Sequence, residues 1–86
     1  MMMAFAKQGD EEVMKEMVDA GADVTAIDGI GQTALHWAAR YGHDAVVGLL
    51  VGVGAHVAAA DQYGQTALVL AAESGHVGVV WLLVGV

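Results

Sequence analysis

A 33-residue internal repeat is the feature that most restricts how this 86-residue chain can fold. The stretch GQTAL begins at Gly31 and returns at Gly64, and GADV at Gly21 aligns with GAHV at Gly54. A period of this length is typical of repeat proteins, in which each unit buries its apolar face only against its neighbours. We therefore expect one domain of three stacked units, covering residues 1–27 (a partial unit), 28–60 and 61–86.

Each complete unit predicts two helices followed by a turn. Thr33 is suited to cap the first helix, His36 can fold back as the other half of a capping box, and Gly42 ends that helix. Asp61 and Gly64 frame a turn with the residue preferences of type I. Valines and leucines at helical spacing predict that the second helices face the core through Val46, Val47, Leu49, Leu50 and Val53, and through Val79, Val80, Leu82 and Leu83.

The two segments GQTALHWAARYGHDAVVGLLVGVGAHV and GQTALVLAAESGHVGVVWLLVGV resemble the ankyrin repeat. This resemblance covers essentially the whole chain and implies an all-α solenoid of stacked helix-turn-helix units joined by β-hairpin-like loops. Two positions depart from the family pattern. Ala34 and Ala67 stand where the family prefers proline at the first helical position, and Val69 replaces the histidine that His36 supplies. The second departure removes a group that could form a hydrogen bond between units.

Charge and composition exclude several classes of partner. The net charge is −7, with Lys7, Lys15 and Arg40 as the cations, so we expect no binding to nucleic acid or to anionic lipid. The longest apolar run, residues 45–55, is well short of the roughly 20 residues that span a bilayer. The N-terminal stretch has no apolar core of a signal peptide, and there is no cysteine, so we expect an intracellular protein, cytoplasmic or nuclear.

The residues that could carry chemistry have simpler structural explanations. His43 and His76 occupy equivalent positions in successive units, too far apart for one ion to bridge without help, and we interpret them as making local hydrogen bonds. His36 is interpreted as a structural histidine and His56 as a solvated loop residue. The glycines mark the ends of elements rather than a phosphate-binding loop. We therefore expect no enzyme activity, no metal and no cofactor.

A protein-binding surface is what the resemblance implies instead. In ankyrin-like stacks the turn tips and the exposed side of the first helices form a concave strip. Tyr41 and Tyr63 are the predicted anchors, because an exposed tyrosine offers a large contact area at low rotamer cost; alternatively, both rings simply cover neighbouring turns. Trp37 is assigned to the core. The strip as predicted consists of Ile30, Gln32, Arg40, Tyr41, Gln62, Tyr63, Gln65, Glu73 and Ser74.

The last second helix predicts a different surface. Trp81 and Val84 stand where a solvent-facing helix ordinarily carries polar residues, whereas residues 1–28 hold most of the charge and form a water-facing cap. A terminal unit without a polar outer face favours association with another molecule. This supports a second hypothesis, a structural or designed scaffold that forms homo-oligomers through Trp81 and Val84.

Overall fold

Six α-helices in three antiparallel pairs make up the protein in a computed structural model, which describes residues 2–85, with side chains from residue 4 onwards. No strand is present in that range. The prediction of an all-helical stack is confirmed. The first pair is α1 (Met2–Gln8) and α2 (Glu11–Asp19), the middle pair is α3 (Ala34–Arg40) and α4 (Asp44–Gly52), and the third pair is α5 (Ala67–Ser74) and α6 (Val77–Val84).

Side-chain caps mark the start of α2, α3 and α5. Thr33 takes an extended backbone and its hydroxyl accepts a hydrogen bond from His36 N–H, while His36 Nδ1 accepts from Thr33 N–H at 3.1 Å. This is the capping box predicted for α3. Thr66 caps α5 in the same way but without the return bond, because Val69 has no polar atom to provide it. Asp10 caps α2 through Val13 N–H at 3.2 Å.

The helices form two layers. α1, α3 and α5 lie side by side in one layer, and α2, α4 and α6 lie side by side in the other. Small residues such as Ala38 and Ala71 are fully buried and let the first-layer helices approach closely. Met14, Leu50 and Val79 fill the space between the layers. Apolar burial of this kind, at about 25 cal/mol per Å², is the main stabilising contribution to the stack.

Hairpin-like loops connect successive pairs and contact each other. The turn predicted at residues 61–64 is present, closed by Gly64 N–H donating to Asp61 O at 3.0 Å, and a matching turn closes at residues 28–31. Gln62 N–H donates to Ile30 O at 3.0 Å and so joins the two loops through their backbones. Gln32 adds a side-chain bond, in which its Nε2 donates to Asp61 Oδ2 at 2.9 Å.

That bond corrects one prediction about the binding strip. Gln32 is fully buried between the loops, because its amide pairs with Asp61 rather than with solvent. A buried side chain with this role is not available to a partner. Gln32 therefore belongs to the contacts that hold the middle and third pairs together.

The histidines bridge neighbouring pairs, so the prediction of local hydrogen bonds for His43 and His76 is wrong. His43 Nε2 donates to Lys7 O at 2.6 Å, and His76 Nε2 donates to Arg40 O at 2.8 Å. A carbonyl oxygen only accepts, so each ring carries its proton on Nε2. Each histidine reaches back to the end of the first helix in the preceding pair. The three pairs are thereby tied by a polar bond in addition to apolar contacts.

Two apolar residues point outwards rather than to the core. Val53 lies at the end of α4 and Leu82 lies on α6, and both are exposed. Each was expected to face inwards, but helix geometry carries them past the edge of the buried stripe. No helix in the described range has the length and apolar character that crossing a membrane requires.

Candidate functional site

A group of aromatic and cationic side chains converges on the first-layer helices. The Trp37 and Tyr41 rings stack with centroids 6.1 Å apart and planes 6° from parallel, because Tyr41, which caps the end of α3, follows Trp37 by about one helical turn. Lys7 Nζ lies 5.8 Å from the Trp37 centroid and 5.6 Å from the Tyr41 centroid. Arg40 Cζ lies 5.2 Å from the Trp37 centroid. We call Lys7, Trp37, Arg40 and Tyr41 the aromatic–cation cluster.

A hydrogen bond fixes the indole at the centre of this cluster. Trp37 Nε1 donates to Asp28 Oδ2 at 2.9 Å, and the other Asp28 oxygen accepts from the backbone N–H groups of Ile30 and Gln32. Burial alone raises the pKa of Asp28, but these three hydrogen bonds and the nearby His36 together outweigh it and lower the pKa. Asp28 is therefore an anion at neutral pH and holds the ring in one orientation.

The cluster contains two residues that the sequence analysis missed. Trp37 was assigned to the core, but it is half-buried, packing one side on the core while its N–H reaches the Asp28 carboxylate. Lys7 is one of the three cations of the chain but is not among the residues predicted for the strip. The repeat itself carried the missing signal, since Lys7 and Arg40 are 33 residues apart and so occupy the same register on successive first helices.

The other residues predicted for the binding strip lie outside the cluster. Tyr63 is 68% exposed at the tip of the loop before α5, compared with 42% for Tyr41. Gln62 is also exposed, and Ile30, whose carbonyl accepts from Gln62 N–H, is half-buried. Gln65 Nε2 donates to Glu73 Oε1 at 3.3 Å, and Ser74 is exposed at the end of α5. The predicted strip thus adjoins the stacked pair of Trp37 and Tyr41, and its exposed polar residues include Gln62 and Ser74.

A shallow groove of about 220 Å³ lies on the loop side of the stack. Val24, Ile27, Thr33, Ala55 and His56 are among the residues that line it. His56 is exposed, as predicted for a loop residue. General acid–base chemistry requires a positioned acid or base within hydrogen-bonding reach of a substrate, and this lining offers a single titratable side chain.

The histidines of the described part of the chain do not form a metal site. No group of three or more His, Cys, Asp or Glu side chains there is placed to hold an ion. The Nε2 atoms of His36, His43 and His76 are each bonded to a backbone carbonyl of another pair. These rings therefore contribute to the stacking of the pairs.

Comparison with known proteins identifies the family. A model described as ankyrin repeats, in three copies, matches residues 1–86. No curated protein sequence gives a significant match to the chain. The match agrees with the three helical pairs, the loops between them and the 33-residue period that the sequence shows. The chain therefore belongs to the ankyrin repeat family.

Proposed function

We propose that this protein is a non-enzymatic interaction module that binds a protein partner through the aromatic–cation cluster and the adjacent loop tips. Ankyrin repeats are generally protein–protein interaction modules. The observation that carries the proposal is the convergence of two of the three cationic side chains of the chain on one stacked aromatic pair. Tryptophan, tyrosine and arginine are the residue types that most often dominate the binding energy of protein interfaces.

The cluster is suited to binding because it is ordered before a partner arrives. The indole is held by Asp28, and Tyr41 is held against the indole by stacking. Ordering a flexible side chain at an interface costs about 0.5 to 1.5 kcal/mol, so pre-ordered rings reduce this cost. The net charge of −7 favours a protein over a nucleic acid as the partner.

The proposed surface keeps the predicted strip with two changes. Lys7 and Trp37 are added because they complete the cluster, and Gln32 is removed because it is buried. The proposed contact residues are then Lys7, Ile30, Trp37, Arg40, Tyr41, Gln62, Tyr63, Gln65, Glu73 and Ser74.

Two variants of the cluster test this function. Tyr41→Ala and Arg40→Ala each remove a largely surface-located group, so we expect the fold to persist by circular dichroism. A partner captured from lysate by the unaltered chain should be lost or much reduced with either variant. Trp81→Glu is the matched control, since it alters an exposed aromatic residue on α6 and should leave capture intact. Equal capture by the unaltered chain and both cluster variants would refute the assignment of these residues.

A second candidate function is self-association through α6. Val77, Trp81 and Val84 are exposed and lie one helical turn apart, so they form an apolar stripe along the helix, in which Trp81 is 72% exposed. Burying one such side chain contributes about 1.5 to 3 kcal/mol, and several together are comparable with the lower estimates of the cost of association. We call this the α6 stripe.

Sedimentation across a concentration series tests the second candidate. The unaltered chain should form dimers or larger species at micromolar concentrations, and Trp81→Glu should restore the monomer by placing a charge in the contact. Tyr41→Ala should behave like the unaltered chain. A monomer throughout the high micromolar range would refute self-association while leaving partner binding by the cluster unaffected.

A further inference from the structure

We propose that the protein partner presents an extended segment whose charges follow the order acidic, acidic, basic at every third residue. The segment crosses the first-layer helices, with its acidic side chains opposite Lys7 and Arg40 and its basic side chain opposite Glu73. We call Lys7, Arg40 and Glu73 the charge row. This inference rests on the binding function proposed above and adds to it the chemistry of the bound segment.

The charge row contains every formal charge of the first-layer helices. Lys7 is the charged residue of α1, Arg40 that of α3 and Glu73 that of α5, with His36 counted as neutral. By contrast, α2 in the second layer carries five charged residues among its nine. Two of the three cations of the chain therefore lie in the layer that holds the fewest charges.

The repeat places these three charges in the same register. Successive members of the charge row are 33 residues apart, and each stands in the last turn of its helix. Since α3 packs against both α1 and α5, the charges cross the stack in the order positive, positive, negative. Packed helices have axes about 8 to 10 Å apart, which is close to the length of three extended residues at about 3.3 Å each. A charge at every third residue of an extended segment thus matches the spacing of the row.

Helix stability alone does not explain the order of the charges. The helix dipole favours a cation in the last turn, as at Lys7 and Arg40, but it disfavours an anion there. Glu73 is exposed at this unfavourable position on α5. One of its oxygens accepts from Gln65 Nε2 at 3.3 Å, a long hydrogen bond that leaves the carboxylate able to bind a cation of a partner.

The two cations of the row lie where an acidic side chain can reach them. Lys7 Nζ and Arg40 Cζ are 5.8 Å and 5.2 Å from the same Trp37 centroid, and Lys7 is exposed. The Asp28 carboxylate at the edge of the indole already accepts from three N–H groups. Exposed charges more than about 8 Å away are largely screened at physiological salt. The local cations therefore outweigh the net charge of −7 for a segment bound at the row.

Two peptides of identical composition test the charge order. The matching peptide is Glu-Ser-Gly-Glu-Ser-Gly-Lys and the control is Glu-Ser-Gly-Lys-Ser-Gly-Glu, both with blocked ends, so their net charges are equal. The control matches the row in neither chain direction, because its basic side chain stands between the acidic ones. NMR titration of the isotope-labelled chain follows the indole N–H of Trp37 in the cluster. The indole of Trp81, exposed on α6, is the internal reference.

The unaltered chain should distinguish the two peptides. We expect the matching peptide to shift the Trp37 signal and to bind at least about fivefold more tightly than the control, which places like charges opposite two positions of the row. The Trp81 signal should not move with either peptide. The preference should shrink in 1 M salt, where charges interact only within about 3 Å.

Two variants test whether the row itself sets the preference. Arg40→Glu combined with Glu73→Lys keeps the net charge and changes the row to positive, negative, positive, so this variant should prefer the control peptide. Circular dichroism shows whether it is folded. Glu73→Lys alone changes an exposed position and should abolish the preference, because each peptide then meets one like charge.

Each contrary result overturns the charge row. Equal binding of both peptides by the unaltered chain would refute the charge order, and so would an unmoved Trp37 signal with either peptide at about 10 mM, a concentration that reveals even millimolar affinity. A preference that persists in Glu73→Lys would refute the part given to Glu73. Partner capture that depends on Tyr41 and Arg40, together with equal binding of the peptides, would leave the proposed binding function standing and refute this inference alone.

Discussion

Replacing His36 with valine should weaken the contact between the middle and third pairs, because the buried His36 ring is bonded to both of them. Its Nε2 donates to Gln65 O at 2.9 Å and its Nδ1 accepts from Thr33 N–H at 3.1 Å. His36→Val leaves the buried Thr33 N–H without its acceptor, which costs about 1 to 3 kcal/mol. It also removes one of the two bonds to Gln65 O, worth about 0.5 to 1.5 kcal/mol, while Asp61 N–H still donates to that oxygen. Valine retains part of the packing, so we expect a loss of about 3 kcal/mol in the free energy of unfolding.

This loss is large for a domain of this size. At about 4 to 8 °C per kcal/mol, the thermal midpoint should fall by about 12 to 24 °C. Urea denaturation followed by circular dichroism at a helical wavelength measures the free energy, and hydrogen exchange should show α5 and α6 opening before α1 to α4. Val69→Ala is the matched control, since Val69 occupies the equivalent position, is partly exposed, and should change stability by no more than about 0.5 kcal/mol. If His36→Val cost less than about 1 kcal/mol, the role given to the buried ring would be refuted.

Two further predictions concern the dependence of stability on pH and the replacement of helical glycines by alanine. The hydrogen-bonded Asp28 and Asp61 have lowered pKa values in the folded chain. The stabilisation they contribute is therefore complete above the pKa of an aspartate in the unfolded chain, and it is lost as the pH falls through the pKa values of the folded chain. Acid titration by circular dichroism should show destabilisation below about pH 4, and constant stability there would contradict the prediction. Gly48→Ala should raise the free energy of unfolding, measured by urea denaturation, by up to about 1 kcal/mol, because open space surrounds the helical site. Gly78→Ala should raise it by less, because the Asp44 carboxylate lies where the new methyl would go.

The sequence predicted the repeating features of the fold correctly because they are encoded locally. Thr33 and His36 form the predicted capping box within one turn of chain, and the turn at residues 61–64 closes through the residues that favour it. Helix ends and turns depend on three or four adjacent residues. The period of 33 then requires successive units to repeat the same local structure.

Contacts between pairs were harder to predict, because the repeat gives the register of the units but not the direction of each side chain. The sequence predicts local hydrogen bonds for His43 and His76, yet each ring donates to a carbonyl 36 residues earlier in the chain. Gln32 was placed on the binding strip and is buried against Asp61. A polar residue near a loop tip has the same sequence signature whether it faces solvent or the neighbouring loop.

The candidate site was predicted only in part, because the sequence does not show in which direction the Trp37 side chain points. Tyr41 and Arg40 were selected as exposed residues of α3, but the importance of Trp37 depends on the Asp28 bond that turns its N–H towards the surface. Hydrophobicity alone places a tryptophan in the core. The bond to Asp28, nine residues earlier and in a loop, helps to orient the ring, and a count of hydrophobic residues does not reveal it.

The two ends of the stack differ in the groups they offer to a neighbour, and this difference gives the stack a direction. At the first pair, Asp10 uses its carboxylate to cap its own helix through Val13. At the third pair, Gly75 and the Glu73 carbonyl repeat a site that elsewhere holds a histidine ring. Two acceptors cannot pair, so copies joined end to end lack the bond that holds each internal junction. An open filament grows only when the contact that joins successive copies is favourable. Asp10→His would supply the missing donor, and sedimentation of that variant should therefore show larger species than the unaltered chain forms.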